Sequence, residues 1–208
     1  LARAALERAM DEKEDLLLVY QPIFEANEPH RIWSAEALLR QRRQSGEIRE
    51  ASIITEAAEE GPEVFALDSW SMRNAYDDAA DWQRNTGSVV RLNVNLSSRE
   101  FQEGNLLPRL QKLVGGCGID THKVNLEITE TSYIDAPEET MDVLGEMKKL
   151  GVQLSLDDFG TGHSSLMHVL RFPVDGLKLP GEFVKGLPGD ERSRANTRHL
   201  ITLAHDLG

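Results

Sequence analysis

Ser155-Leu156-Asp157-Asp158-Phe159-Gly160-Thr161-Gly162 is the stretch around which the rest of the chain falls into place. The apolar run over residues 152–156 predicts a buried strand that ends on two adjacent carboxylates and passes at once into a glycine-rich turn. Two acids at the tip of a core strand repel each other and resist burial unless a cation lies between them. The glycines let the backbone leave the strand sharply and come close to a ligand. An acidic turn that merely stops a strand is the plain alternative, and the neighbouring strands bear on the choice.

Working outward, strands and helices alternate on both sides of this stretch. Residues 89–96, 124–128, 152–156 and 176–179 are predicted as strands, separated by helices at 106–114 and 137–150 and a helical stretch at 164–170. A last helix covers 191–207. Upstream, residues 16–20 and 31–40 are strands joined by a short turn, hence an antiparallel hairpin. Helices follow at 51–60 and 64–84, broken by Gly61-Pro62. Residues 1–14 suit a helix leading in from an upstream region. Six strands alternating with helices imply a parallel sheet, either a closed barrel or a doubly wound sheet.

Strand parity carries the chemistry. In Leu92-Asn93-Val94-Asn95-Leu96 the aliphatics take one face and the two Asn the other. Val124-Asn125-Leu126-Glu127-Ile128, Gln153 to Asp157 and Leu177-Lys178-Leu179 repeat the pattern. In a barrel the outward face meets the helices and is apolar, so the polar face points inward. Asn95, Glu127, Asp157 and Lys178 then lie near the C-terminal strand ends, where barrel active sites sit, with Glu36 at the end of the second strand. Polar side chains in a wet barrel mouth explain one or two of these. Several carboxylates converging with an Asn suit hard divalent cations such as Mg²⁺, Mn²⁺ or Ca²⁺, because unpaired buried anions are costly. Adjacent aspartates that can bridge suggest two ions, the arrangement that activates water and steadies a phosphoryl centre. Lys178 can orient water, stabilise phosphate charge, or simply neutralise the acids.

Composition sets the outer limits. The chain has 208 residues, enough for one domain with a sizeable core. Its 23 basic and 35 acidic side chains give a net charge of −12, which disfavours nucleic-acid binding. The single Cys117 excludes an internal disulfide and fits a reducing, cytoplasmic setting. No apolar run approaches the roughly 20 residues of a membrane span.

The motifs resemble a known family. Glu36-Ala37-Leu38-Leu39-Arg40 matches the signature of the EAL domain, the phosphodiesterases of cyclic di-GMP. Tyr20-Gln21-Pro22-Ile23, Asn93 to Ser97, Glu127-Ile128-Thr129-Glu130, Asp157 to Leu166 and Leu177-Lys178 follow in the family's order over about residues 15–208. The resemblance implies a variant TIM-type (β/α)8 barrel with an antiparallel strand near its start. It implies hydrolysis of cyclic di-GMP to linear pGpG with Mg²⁺ or Mn²⁺, in two-ion fashion, as bacterial second-messenger signalling. By match to its motifs, Glu36, Asn95, Glu127, Asp157 and Asp158 would hold metal, and Glu36 and Lys178 would be catalytic, Lys178 positioning the attacking water. Gln21 and Arg40 would bind the nucleotide, and Glu130 would brace the loop that follows Phe159. A homodimer and fusion to an upstream sensory or regulatory domain are further implications.

Two departures from the family pattern stand out. Pro180 occupies the position where the family usually carries Asp, with Glu182 as a distant substitute. The resemblance also implies two further strands after Gly208, the first bearing another metal-binding Glu. These departures motivate an alternative, a catalytically silent domain that binds cyclic di-GMP or a protein partner. Trp33, Trp70 and Trp82 are expected to be core or helix-packing aromatics, and His163 and His168 locally hydrogen-bonded or solvent-facing residues.

Overall fold

The computed structural model of the chain describes residues 16–43, 45–101, 106–117, 120–129, 137–160, 172–187 and 189–207. Its strands are β1 (Leu16–Phe24), β2 (Ile32–Arg42), β3 (Ile48–Glu50), β4 (Arg91–Leu96), β5 (Val124–Thr129), β6 (Gln153–Asp157) and β7 (Gly176–Leu177). Its helices are α1 (Ser52–Glu59), α2 (Glu63–Thr86), α3 (Leu106–Cys117), α4 (Pro137–Lys149), α5 (Gly181–Lys185) and α6 (Glu191–Leu207). The class is α/β. One sheet runs β1-β2-β4-β5-β6-β7, and β3 pairs with β2.

β1 lies antiparallel to β2, with Gln21 opposite Glu36, so the expected hairpin is present. β2, β4, β5, β6 and β7 are parallel neighbours, the succession of a TIM-type barrel wall. The described sheet has seven strands, not the six expected from sequence. The extra strand, β3, is only three residues long, pairing Glu50 with Arg40 beyond the stretch where β2 meets β4. Its Ile-Arg-Glu carries too little alternation to mark it. β1 is longer than expected because its ladder continues through Pro22 to Phe24, whereas β4 starts at Arg91 and leaves Val89 exposed. α5 was also unforeseen. It starts directly after Pro180, whose fixed φ and missing N–H are tolerated where a helix begins. The expected lead-in helix at 1–14 and the helical stretch at 164–170 lie outside the described residues.

The outward face of the parallel strands supplies the main core. Leu92, Val94, Leu96, Leu126, Ile128, Leu154 and Leu156 pack with Met72 and Tyr76 of α2, Leu110 of α3, and Leu144 and Met147 of α4. Burying one such side chain is worth about 1.5–3 kcal/mol. A second cluster, Leu16, Ala51, Ile54, Ala58, Val64 and Leu67, seats α1 against the start of α2. Gly151 ends the α4 turn at φ +90°, and a Cβ there would come within 2.5 Å of Thr121 Oγ1, so left-handed backbone and close packing both require glycine.

Trp33 corrects one expectation. It is 41% exposed at the start of β2, with the Arg91 guanidinium 4.5 Å over its ring. Trp82 does pack internally, edge-on to Tyr20 with ring centroids 4.5 Å apart, and Trp70 lies against the second cluster.

Candidate active site

The parity of the strands brings four charged groups to one point at the C-terminal rim. Lys178, just after β7, places its Nζ 2.6 Å from Glu127 Oε2, 3.2 Å from Glu36 Oε2 and 3.2 Å from Asp157 Oδ2. These carboxylates come from β5, β2 and β6. Asn95 of β4 joins them, donating from Nδ2 to Glu36 Oε1 at 3.3 Å. Lys178 is itself anchored by its backbone, its N–H donating to Leu156 O at 2.8 Å and its carbonyl accepting from Phe159 N at 3.0 Å. The Lys178 backbone is thus tied to the end of β6 and to the turn that follows it.

That turn is bent by left-handed backbone. Asp158 has φ +54° and Gly160 φ +94°. Asp and Gly are the residues that reach this region most readily, Gly at no steric cost. The Asp158 N–H donates to Asp157 Oδ1 at 2.9 Å, leaving Oδ2 for Lys178. Asp158 is exposed and is not among the carboxylates ion-paired with Lys178.

The electrostatics follow from burial and from three anions around one cation. Burial is the leading influence on Glu127 and raises its pKa, with the Glu36 charge adding; Lys178 and the Asn93 amide pull it back without cancelling the rise. For Lys178, burial favours the neutral amine. The hydrogen bond to Glu127 and the charges of Glu127, Glu36 and Asp157 outweigh it, so the pKa rises and the ammonium persists. Three carboxylates against one ammonium leave a negative excess.

That donor set fits a hard divalent cation. The carboxylate oxygens of Glu36, Glu127 and Asp157 converge beside the Asn95 side chain, and among the described residues no thiol or imidazole competes at the cluster. Among the described residues no three acids or histidines are already at metal-ligand spacing. The Lys178 ammonium is what the carboxylates surround.

Beside the cluster a cavity of about 300 Å³ is lined by Arg40, Glu50, Asp68, Ser71 and Asn95, and a neighbouring one of about 360 Å³ shares Asp68 and Asn95. Arg40 lines the first of these cavities, its Nη1 donating to Leu39 O at 2.9 Å. Gln21 faces Glu36 across the β1–β2 ladder and is exposed. Glu182 is exposed in α5 and makes no ion pair with Lys178, so it does not stand in for an acid at position 180. Glu130, His163 and His168 lie outside the described residues.

Asp68 was missed by sequence reasoning. It sits in α2 among Val64, Leu67 and Met72, accepts the Ser97 N–H at 3.1 Å, and lines both cavities. Burial raises its pKa to about 7, with Glu59 adding and the Ser97 N–H and Arg109 charge opposing. The available signal was a lone carboxylate on the apolar stripe of an amphipathic helix.

Comparison with known proteins points the same way. A family model described as the EAL domain matches residues 3–208. An uncharacterized protein of Mycobacterium tuberculosis is 34% identical over 212 residues, which cover 99% of this chain and 67% of that protein. Cyclic di-GMP phosphodiesterase PdeR of Escherichia coli is 30% identical over 197 residues, 94% of this chain and 29% of PdeR. The chain spans 23–30% of the length of the first curated relatives it matches. The solved PaMucR phosphodiesterase–c-di-GMP complex superposes with a TM-score of 0.88 at 25% identity, over 100% of this chain and 83% of that one.

Proposed function

This chain belongs to the EAL domain family, and on that premise we propose that it hydrolyses one phosphodiester bond of cyclic di-GMP to linear pGpG with Mg²⁺ or Mn²⁺. The observation that carries the reading is the convergence of Glu36, Glu127 and Asp157, from three strands, within 3.2 Å of Lys178 Nζ. PdeR and the PaMucR complex, whose names carry the same substrate, support it.

In this proposal Glu36, Asn95, Glu127, Asp157 and Asp158 hold the cations, which when bound polarise the phosphate and lower the pKa of water. Lys178 gives up part of its contact with the carboxylates and holds the attacking water by donating a hydrogen bond. Arg40 offers a planar fork to a phosphate or a guanine edge at the cavity wall, and Gln21 contacts the nucleotide from β1. Water adds to phosphorus, the ribose 3′ oxygen leaves with a proton, and the ring opens to pGpG. Glu130 braces the loop after Phe159. Residues 15–208 belong to the catalytic domain, and 1–14 connect it to an upstream sensory or regulatory region. The domain acts in the cytoplasm as a homodimer. Among the described residues no helix is long and apolar enough to cross a membrane.

One feature favours a second reading. Lys178 already neutralises part of the carboxylate cluster, and no acid at position 180 reinforces its charge. A domain balanced in that way binds cyclic di-GMP without turning it over. Incubation with cyclic di-GMP and Mn²⁺, followed by chromatography, separates the two. Appearance of pGpG that is lost in Glu36→Ala supports the phosphodiesterase. Saturable binding with intact nucleotide supports the receptor and refutes the enzyme.

A further inference from the structure

Beneath the carboxylates the barrel interior carries a row of polar side chains, Asn93, Asn125 and Ser155. Asn93 and Asn125 are each 2% exposed and stand opposite each other in the β4–β5 register. Asn93 Nδ2 donates to Glu127 Oε1 at 2.7 Å. A carboxylate only accepts, so this bond turns the Asn93 amide with its nitrogen toward Glu127 and its oxygen away. Ser155 Oγ donates to Asn125 Oδ1 at 3.1 Å, which leaves Asn125 Nδ2 as the spare group of the second amide. Among the described residues, Asn93 Oδ1 and Asn125 Nδ2 have no hydrogen-bond partner. One is an acceptor and the other a donor, on adjacent strands at one level, and burying either unpaired is costly. Bridged by one buried water, they complete a row with a single polarity. Each proton then points the same way, from Ser155 to Asn125, from Asn125 to Asn93, and from Asn93 to Glu127. Gly176 leaves the space that Ser155 needs, because a Cβ there would lie 3.0 Å from Ser155 Oγ.

We infer that Ser155, Asn125 and Asn93 form a polarised hydrogen-bond row that pins Glu127 by Oε1 and so presents Oε2 to Lys178 and to a divalent cation. Asn93 is then a positioning residue that acts through Glu127. The cation half of this inference rests on the phosphodiesterase reading above; the pinning of Glu127 does not. Polar side chains placed only to fill the barrel need no common polarity and no terminus on a carboxylate.

Mn²⁺ titration calorimetry on the full chain tests the row. Asn93→Leu, similar in size and unable to donate, should weaken Mn²⁺ binding about tenfold or more, the range seen when a group that orients a metal ligand is removed. Asn125→Leu should weaken it by a smaller factor. In a Glu127→Gln background Asn93→Leu should change nothing further, since the row then has no carboxylate to orient. Unchanged affinity in folded Asn93→Leu overturns the inference, as does the same factor lost again on top of Glu127→Gln. Should Asn93→Leu fail to fold, Asn93→Ser, too short to reach Glu127, takes its place with the same outcomes. A metal-free crystal structure decides independently. Glu127 leaving its orientation in the Asn93 variant supports the row even if the wild type binds no Mn²⁺, a result that would refute the cation reading alone. Glu127 unmoved in that variant overturns the row.

Discussion

Leu126 and Glu127 are neighbours in β5, and both are at most 1% exposed, yet they belong to opposite worlds. Leu126 joins the apolar layer between the sheet and its helices, where the packing is dominated by apolar side chains and position is set by volume. Glu127 faces the barrel axis, held by Lys178 on one oxygen and Asn93 on the other, where position is set by hydrogen bonds. Equal burial therefore means different things on the two faces. On the outer face it measures stability. On the inner face it measures how strongly charges feel one another, because water is not there to screen them.

The largest effect that would sharpen this contrast comes from the inner face. Lys178→Met should lower kcat/KM for cyclic di-GMP by about 10³-fold or more, since it removes the one ammonium among three carboxylates. Steady-state kinetics with folding checked by circular dichroism reads it, and near-wild-type turnover would break the division of labour. Next comes the outer face. Leu154→Ala should cost about 2–5 kcal/mol of unfolding free energy, by transfer and cavity terms, while turnover per folded molecule persists. Urea denaturation paired with the activity assay separates these.

A smaller effect concerns Asp68, a carboxylate that stands where the two faces meet. Its folded pKa of about 7 lies above the ordinary carboxylate value, so the folded state binds the proton more tightly than the unfolded chain. Stability from this group is therefore fully present below about pH 4 and is lost as the pH rises through 7. Asp68→Asn should flatten that part of the pH profile. Thermal unfolding of both proteins from pH 5 to 8 checks it, and parallel profiles would count against a buried, protonated Asp68. The smallest effect is expected at the far end of the barrel, where Trp33 and Arg91 stack in solvent. Trp33→Ala should cost about 0.5–1 kcal/mol and leave activity unchanged.

The contrast also explains what could be read from sequence. The outer face was legible because alternation of period two over Leu92 to Leu96, Val124 to Ile128 and Leu154 to Leu156 admits one arrangement of a two-sided wall. The same parity placed Glu36, Asn95, Glu127, Asp157 and Lys178 on one face, and the parallel register brought them to one rim. The remainder depended on long-range geometry. β3 is three residues held by pairing with β2 and has no pattern of its own. α5 is five residues that follow Pro180. Asp68 reads in sequence as one more acid on a helix, and only the docking of α2 beside β4 turns it toward Ser97 and the cavity. Trp33 reads as core from its bulk, but it lies at the start of β2 and is 41% exposed. The polarity of Asn93 and Asn125 was also out of reach, because parity places a side chain on a face without saying which end of its amide points where.

Adjacent substitutions in β5 test the account most directly. Glu127→Gln and Leu126→Ala differ by one residue and by one face, so cyclic di-GMP turnover and melting temperature measured on both decide the matter. The account predicts that Glu127→Gln loses pGpG formation while keeping most of its thermal stability, and that Leu126→Ala melts lower while each folded molecule still forms pGpG. Wild-type turnover in Glu127→Gln, or loss of turnover in folded Leu126→Ala, would contradict it.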